Sequence, residues 1–495
     1  MNTKDFFKSS LWITGFTFVG KALGFFREML LAAKFGTGFT SDLIVYILSM
    51  DTILFMAIAM ALPNIIVPMI VECEKERKSP YIALLKVVGI IGIVALLFLG
   101  VGSFSPSTFI KFFAPGMYLS CSLEELHILE NCTKIFLISN FFIGISYTCV
   151  GFLQAKKHYK IVSGISVIYN VVIIGGIELV SQKEVNAFSI VVVLVLAYFI
   201  QMVLAVGIVV GDWIKDRGKF SDYSFSIKPY ILLFVPVIVS TSVQQLNYFF
   251  DKRVVSYCGQ GELTLLHYGY KISSFAYSIS ITIISSILYP IIVENIKNDS
   301  SDISYKKKTF ELSNILLVSF CWMMVNNYYI TDVLFGHGKF NEQNVFSMAR
   351  IMFLYLPGML LMTIREIYIK VSYANNNSKT PMMFTMLTVA LNILLDYCLV
   401  DIWGTRGVAF ATSLSVGITF LPFVLIINKR YMGSFVLLNA RNFLFMILMC
   451  LLIVVFEIVL AKYSLPFVGK IIYLALSFVV PTGLYYMYAL KPQND

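Results

Sequence analysis

The chain has few charged residues, few histidines and few cysteines for its length. Charged residues make up 13% of the 495 positions, and there are 4 His, 8 Cys and 14 Pro. Soluble domains carry roughly 25% charged residues, so this share excludes an ordinary soluble enzyme, and the apolar composition excludes a disordered chain. The cysteines are too sparse for a disulfide scaffold, and no CxxC or Cys/His spacing indicates a metal site.

Motifs of common enzyme classes are also missing. The sequence contains no HExxH, no P-loop and no GxSxG, and its histidines stand alone. Cys121 and Cys132 fall near one predicted external loop, where they either pair in an oxidising compartment or remain free thiols. Nothing in these patterns indicates a catalyst.

Long apolar stretches dominate what is present. Hydrophobic residues make up 58% of the chain and aromatic residues 15%. A bilayer core needs about 20 apolar residues per helix, and about fourteen such windows can be found. They lie near 10–33, 42–71, 81–103, 131–155, 160–180, 187–211, 229–258, 264–293, 309–333, 344–374, 380–400, 405–428, 441–461 and 466–489. The sequence therefore predicts an all-α polytopic membrane protein.

Basic residues in the connecting loops predict the orientation. They are concentrated after even-numbered spans, as with Lys156, Lys157 and Lys160 after the fourth. Because cytoplasmic loops retain Lys and Arg, this asymmetry predicts an even number of spans with both termini cytoplasmic. Most of the net charge of +10 is explained in this way.

Two parts of the chain resemble each other. The first span carries Phe25-Phe26-Arg27-Glu28, and the seventh carries Phe249-Phe250-Asp251-Lys252-Arg253. Such pairs predict two six-helix lobes, 1–215 and 228–428, followed by two additional helices in 441–489. Repeat-built transporters bind substrate between such halves, whereas chance similarity among apolar helices is the alternative explanation.

Ionisable residues inside predicted spans form a first candidate site. Lys21 and Glu28 are seven residues apart and share a helix face, and Arg27 flanks that face. These groups suit an anionic headgroup such as a diphosphate, or else form a structural ion pair beside a snorkelling lysine. Asp42 opens the second span as a cap or a functional acid. Lys271, in the eighth span, either completes the cationic cluster or anchors the interface.

Oxygen-bearing side chains form a second candidate site. Asn392 and Asp396 are four apart on the eleventh span, and Asp251 follows an asparagine at the same spacing in the seventh. Thr412 lies in the twelfth span, four residues after Val408. Such groups in a dry interior bind a hard cation, relay protons, or form a hydrogen-bond network between helices.

Several motifs resemble those of one transporter family in the same chain order. They are Gly20–Glu28, Phe35-Gly36, Ser41-Asp42, Gln245–Asp251, Tyr268–Lys271, Leu334–Phe340, Tyr373-Ala374, Lys379–Pro381 and Gly407–Ala409. These stretches resemble the lipid II flippase (MurJ/MviN) family, which shares a superfamily with multidrug extruders and polysaccharide flippases. The resemblance extends from the first predicted span to the twelfth.

This resemblance implies a fold, an activity and site residues. It implies two lobes in a V around a central cationic cavity, and two C-terminal helices that form a groove for a lipid tail. It implies alternating-access transport of an undecaprenyl-diphosphate-linked saccharide, most often the peptidoglycan precursor lipid II, across the bacterial inner membrane. The implied substrate-binding residues are Lys21, Arg27, Glu28, Asp42 and Lys271. The implied Na⁺ ligands are Asp251, Asn392, Asp396, Val408 and Thr412.

The chain also departs from the family pattern. The family usually has Arg where this chain has Lys21 and Lys271, and Asp where it has Glu28. A flippase for a capsule, O-antigen or teichuronic-type repeat unit is therefore an alternative, and a cation-coupled multidrug extruder is a more distant one. A membrane glycosyltransferase needs a catalytic residue facing a large loop, and none is evident. We expect a monomer whose partners are the lipid-linked saccharide and membrane lipids, with no nucleic acid involved.

Overall fold

Helices account for nearly all of the part of the chain that the structure describes. The structure is a computed structural model that describes residues 3–51, 57–181, 186–216, 245–297, 303–432 and 466–489, together with positions 55, 219–220 and 230. The predicted all-α class is confirmed for these residues.

The helices before residue 216 are numbered α1 to α10. They are α1 (Thr3–Phe35), α2 (Phe39–Asp51), α3 (Ala57–Lys75), α4 (Pro80–Phe104), α5 (Pro106–Phe113), α6 (Pro115–Ser120), α7 (Leu123–Leu137), α8 (Ser139–Ala155), α9 (Tyr159–Ser181) and α10 (Ala187–Lys215).

The described helices after residue 244 are numbered α11 to α19. They are α11 (245–255), α12 (Glu262–Ile283), α13 (Tyr289–Lys297), α14 (Ile303–Val325), α15 (Asn327–Phe335), α16 (Glu342–Ala374), α17 (Lys379–Trp403), α18 (Thr405–Ile427) and α19 (Phe467–Ala489). A π-helical turn, Ile284–Leu288, joins α12 to α13.

Eight helical segments within the described residues are long and apolar enough to cross a membrane. They are Pro80–Phe104, Leu123–Ala155, Tyr159–Val180, Ala187–Lys215, Glu262–Asn295, Glu342–Ala374, Lys379–Trp403 and Thr405–Tyr431. Each coincides with a predicted window. The window 441–461 and half of 229–258 lie outside the described residues, so the count of about fourteen stays a prediction.

Two predicted windows contain a break between helices. The window 131–155 spans the end of α7 and all of α8, and Ser139 donates to the carbonyl of Phe136 across the break at 2.6 Å. The window 309–333 contains the break between α14 and α15, where Asn326 donates to the carbonyl of Trp322 at 3.0 Å. Short polar side chains that bond to nearby carbonyls compete with the helical pattern, and apolar periodicity does not reveal such interruptions.

The connection after α4 folds into short helices whose starts are encoded locally. Pro106 and Pro115 occupy the first positions of α5 and α6, where a missing N–H costs nothing. Ser122 and Glu125 form a capping box at the start of α7. Cys121 and Cys132 flank this start, and both are free thiols in the structure.

The chain divides into two compact units, Met1–Thr264 and Leu265–Asp495. Helix α11 therefore belongs to the first of these units. The lobe boundaries themselves stay a prediction.

In the first unit, α8 packs against α3, α4 and α10, while α1 packs along α9. A network of ion pairs joins the ends of several of these helices. Lys156, after α8, contacts Glu74 of α3 at 2.5 Å and Asp216, after α10, at 3.1 Å. Tyr81 of α4 also donates to Asp216, at 2.8 Å.

In the second unit, α18 packs against both α16 and α17. Helices α16 and α18 approach closely at Gly358, whose backbone N–H donates to the hydroxyl of Ser413 at 2.9 Å. A Cβ at position 358 would lie 2.7 Å from Ser413 Cα, so only glycine allows this crossing. Helix α19 packs on α14 and α15, with Lys470 paired to Asp332 and Trp322 donating to Ser477 at 2.9 Å.

Candidate functional site

The predicted cation cluster of the first unit centres on Arg27 and Glu28 of α1. Arg27 Nη2 donates to Glu28 Oε1 at 2.7 Å, and the side chains are 11% and 2% exposed. Arg27 Nη1 donates to Asn170 Oδ1 of α9 at 3.3 Å, and the guanidinium carbon lies 5.9 Å from the centre of the Tyr169 ring. Arg27 Nε is buried and donates no hydrogen bond to any described residue.

Lys21 differs from this buried pair because it is exposed to solvent. It is exposed on α1, whereas Glu28 on the same helix is buried and forms its ion pair with Arg27. The sequence analysis did not select Asn170 as a site residue. Its contact with Arg27 depends on the packing of α1 against α9 and has no signal in the local sequence.

Asp42 has a set of partners that the sequence did not indicate. Its Oδ2 accepts the backbone N–H of Gly261 at 2.5 Å, and its Oδ1 accepts the backbone N–H and the hydroxyl of Thr264 at 2.9 and 2.6 Å. Both residues lie at the start of α12, where unpaired N–H groups attract a carboxylate. These contacts do not test the predicted substrate-binding role of Asp42, which stays a prediction.

Helix α11 carries two adjacent buried charges. Asp251, a predicted cation ligand, is 1% exposed, and Lys252 is 3% exposed. Lys252 Nζ donates to Ser49 Oγ of α2 at 2.5 Å and lies 4.0 Å from the centre of the Tyr248 ring. The sequence analysis did not select Lys252 as a site residue, although a lysine beside an acid within the apolar window 229–258 was a usable signal.

In the second unit, the structure brings four predicted cation ligands together. Asn392 Nδ2 of α17 lies 3.2 Å from Asp396 Oδ1 and 3.4 Å from Thr412 Oγ1 of α18. Thr412 Oγ1 in turn donates to the carbonyl of Val408 at 3.4 Å. All four residues are buried, with exposures between 0 and 6%.

The oxygen chemistry of this cluster fits a hard cation. It combines one carboxylate, one amide, one hydroxyl and one backbone carbonyl, and Asn392 Oδ1 is buried without a hydrogen-bond donor among the described residues. A buried acceptor without a donor is costly unless a cation or water satisfies it.

Lys271 lies half-buried on α12 in the second unit. Its neighbour Tyr268 is fully buried and packs on Phe335 and Phe340, with ring centres 5.2 and 6.2 Å apart. The predicted motif around Lys271 and the motif 334–340 are therefore parts of one packing cluster. The neighbouring aromatic residues hold this stretch of α12 in place.

Comparisons with known proteins agree with the motifs. The family model described as Lipid II flippase MurJ matches residues 31–477. The probable lipid II flippase MurJ of Buchnera aphidicola subsp. Acyrthosiphon pisum is 23% identical, over 96% of this chain and 95% of that protein. The lipid II flippase MurJ of Burkholderia cenocepacia is 22% identical, over 87% and 85% of the two chains.

Solved structures show the same fold. A structure of lipid II flippase MurJ in an inward closed conformation superposes with a TM-score of 0.77 at 21% identity, covering 97% of this chain and all of that one. An inward-facing multidrug transporter of the MATE family superposes with a TM-score of 0.65 at 12% identity, covering 84% of this chain and 96% of that one. With a family match over most of its length, the chain belongs to the lipid II flippase MurJ family, a family of transporters rather than enzymes.

Proposed function

We propose that this chain is a flippase that moves lipid II from the inner to the outer leaflet of the bacterial inner membrane by alternating access. The family match over residues 31–477 carries this proposal, since curated relatives of nearly the same length are named as lipid II flippases. It favours lipid II over capsule, O-antigen or teichuronic-type repeat units and over a multidrug extruder.

The proposed headgroup site has Arg27 as its main cation. Glu28 and Asn170 hold two of its nitrogens, and Nε is left as a donor with no partner among the described residues. A guanidinium that is fixed in this way binds phosphate oxygens with little loss of side-chain entropy. Lys21, on the same helix, adds positive charge as a point cation, which is a weaker form of phosphate recognition than an arginine provides. Lys271 of the second unit stays a predicted substrate-binding residue.

The proposed architecture has about fourteen spans with both termini in the cytoplasm. It consists of six-helix lobes at 1–215 and 228–428 and two further helices within 441–489, and it acts as a monomer. The internal repeat and the loop charges of the sequence support this arrangement.

We propose Na⁺ as the coupling ion. Asn392, Asp396, Val408 and Thr412 of the second unit would hold it, and a bound cation supplies the positive charge that neutralises the buried carboxylate of Asp396. Asp251 of the first unit stays a predicted ligand. The converging oxygens of the second unit support this assignment. A calorimetric titration of the purified protein with NaCl against KCl tests it, and absence of any sodium-specific heat removes the coupling role.

Rescue of cells depleted of their own lipid II flippase tests the transport function. We expect the wild type to restore lipid II export and Arg27→Ala to abolish it, because the variant lacks the fixed phosphate-binding group. Arg350→Ala, at an exposed arginine stacked on Phe346, is the matched control and should rescue fully. Membrane abundance of each variant is measured alongside.

Two outcomes would overturn these assignments. Export by Arg27→Ala at wild-type level would remove the headgroup role. Rescue of an O-antigen flippase mutant without rescue of lipid II export would show that the substrate is a different lipid-linked saccharide.

A further inference from the structure

The corner where α4 passes into the short helix α5 has large apolar side chains on its outer surface. Phe104, the last residue of α4, is 94% exposed, and Phe112 of α5 is 55% exposed. Another side of α5 packs on the first unit through Phe109, Ile110 and Phe113, which are buried. Helix α5 is therefore apolar beyond the side that the protein covers, and its exposed rings require a partner other than water.

The length of α4 places this corner at the boundary of the hydrocarbon core. Lys86 is the only charged residue of α4, and Phe104 follows it by 18 positions. At a rise of about 1.5 Å per residue this separation is about 27 Å, close to a hydrocarbon thickness of about 30 Å. Phe109 packs back against Gly102, where an added Cβ would lie 3.2 Å from its ring. Helix α5 thus lies beside the last turn of α4, at the same depth.

The lipid-facing side of α4 leads directly to Phe104. Ile90, Ile93, Leu97 and Val101 are between 39 and 64% exposed, and with Phe104 they recur every three or four residues. This spacing puts all five on one side of the helix. Because α4 is one of the segments that can cross a membrane, this side faces acyl chains. The exposed ring of Phe104 continues that lipid-facing surface.

The junction between α5 and α6 receives hydrogen bonds from the end of α11 and from Ser256, which follows it. Arg253 Nη1 donates to the carbonyl of Lys111 at 3.3 Å and also to the carbonyl of Phe112, both in the last turn of α5. The backbone N–H of Gly116, in the first turn of α6, donates to Ser256 Oγ at 3.0 Å. Helix ends in water can be solvated by water, whereas helix ends at membrane depth require partners from the protein.

Polar side chains of the same segment suit the level of the lipid headgroups. Lys111 and Thr108 are exposed on one side of α5, three residues apart. The ammonium of Lys111 lies 4.6 Å from the centre of the Tyr118 ring of α6. Lysine and tyrosine are typical of the membrane–water boundary, because an apolar stem or ring lies among the acyl chains while the polar end reaches the headgroups.

We propose that α5 and α6 lie in the plane of the membrane–water boundary, where Phe104 and Phe112 contact the acyl chains of bilayer lipids. Lys111 and Tyr118 contact the headgroups of the same lipids. The bilayer then covers the exposed rings, and the bonds from Arg253 hold the end of α11 at this depth. This lipid contact is independent of the substrate that the chain transports.

Photo-crosslinking of the purified full chain in nanodiscs of phosphatidylglycerol and phosphatidylethanolamine tests this placement. The photoreactive residue p-benzoylphenylalanine, which inserts into nearby C–H bonds, replaces Phe104 or Phe112 in separate variants. We expect the irradiated peptides that carry it to gain the mass of one phospholipid. Leu97, on the lipid-facing side of α4, is the positive control position, and Glu124, exposed in the first turn of α7, is the negative one.

The pattern of adducts decides which partner covers the corner. Lipid adducts at positions 104 and 112, in yields like those at position 97 and without adducts at position 124, support the lipid contact. Absence of lipid adducts at both positions, while position 97 reacts, would show that the rings face water and would overturn it. Cross-linked pairs of chains in place of lipid adducts would show that a second copy covers the surface, which also overturns it.

Tryptophan fluorescence provides a second measurement that needs no bulky ketone. Phe104→Trp and Phe112→Trp each add one tryptophan to the 4 of the chain. Lipids with brominated acyl chains should quench the added emission strongly in both variants and weakly in Glu124→Trp. Equal quenching in all three variants would contradict the placement, and thermal unfolding confirms that each variant is folded.

Discussion

The carboxylate of Asp42 provides the sharpest test of the local architecture. It accepts the backbone N–H groups of Gly261 and Thr264 and the hydroxyl of Thr264, and its residue is 4% exposed. In Asp42→Asn, the amide oxygen can keep the two bonds from Thr264. The amide N–H₂ group then faces the N–H of Gly261, which places two donors against each other.

The substitution removes the charge-assisted hydrogen bond from Gly261 and weakens the favourable interaction of a carboxylate with the N-terminus of α12. A hydrogen bond to a charged group contributes about 1.5–3 kcal/mol, and a carboxylate at a helix N-terminus about 0.3–1 kcal/mol. The substitution should therefore favour opening of this contact by about 2 kcal/mol, which corresponds to about 30-fold in the opening equilibrium.

Hydrogen exchange measured on the peptide that covers residues 256–266 reports this opening directly. We expect the amides of Gly261 and Thr264 to exchange about 30-fold faster in Asp42→Asn. Asp401→Asn, at an exposed aspartate at the end of α17, is the control and should leave these amides unchanged. Equal protection in Asp42→Asn and the wild type would refute the capping role.

Three further predictions concern stability, each measured by thermal unfolding of the purified protein. Lys156→Ala should cost about 0.5–1 kcal/mol, because it removes partly exposed ion pairs, whereas Lys215→Ala at an exposed position should be neutral. Hydrogen bonds from Lys219, Tyr81 and Lys156 hold the pKa of Asp216 well below its ordinary value, so the stabilisation from Asp216 is present above about pH 4 and is lost as the pH falls. Asp216→Asn should make the loss of thermal stability at acid pH less steep. An unchanged pH dependence of the unfolding temperature would contradict this assignment. Gly358→Ala should cost about 1–3 kcal/mol through overpacking, while Gly100→Ala, with open space around it, should not.

Local sequence spacing predicted two side-chain contacts within the candidate sites. Asn392 and Asp396 are four residues apart, so any α-helix brings them to one face, and their contact at 3.2 Å follows. Arg27 and Glu28 are neighbours in the chain, and they pair at 2.7 Å. In both cases the helix itself sets the geometry.

Contacts between distant helices were not predictable in this way. Asp42 bonds to residues 219 and 222 positions later, and Lys252 bonds to Ser49 across 203 positions. Arg365 has no unusual neighbour in the sequence, and only the packing of α16 against α18 and of α17 against α18 gives it threonine partners. One sequence does not say which helices meet, because many pairings bury similar apolar area.

The sequence by itself determined the class of the molecule. Few charges and long apolar stretches allow only membrane-spanning helices, because a helix satisfies its own backbone hydrogen bonds without water. Tertiary structure alone decided which buried charges have partners. A charge inside an apolar helix must be compensated by whatever group the neighbouring helix presents, and that group is set by packing rather than by local sequence.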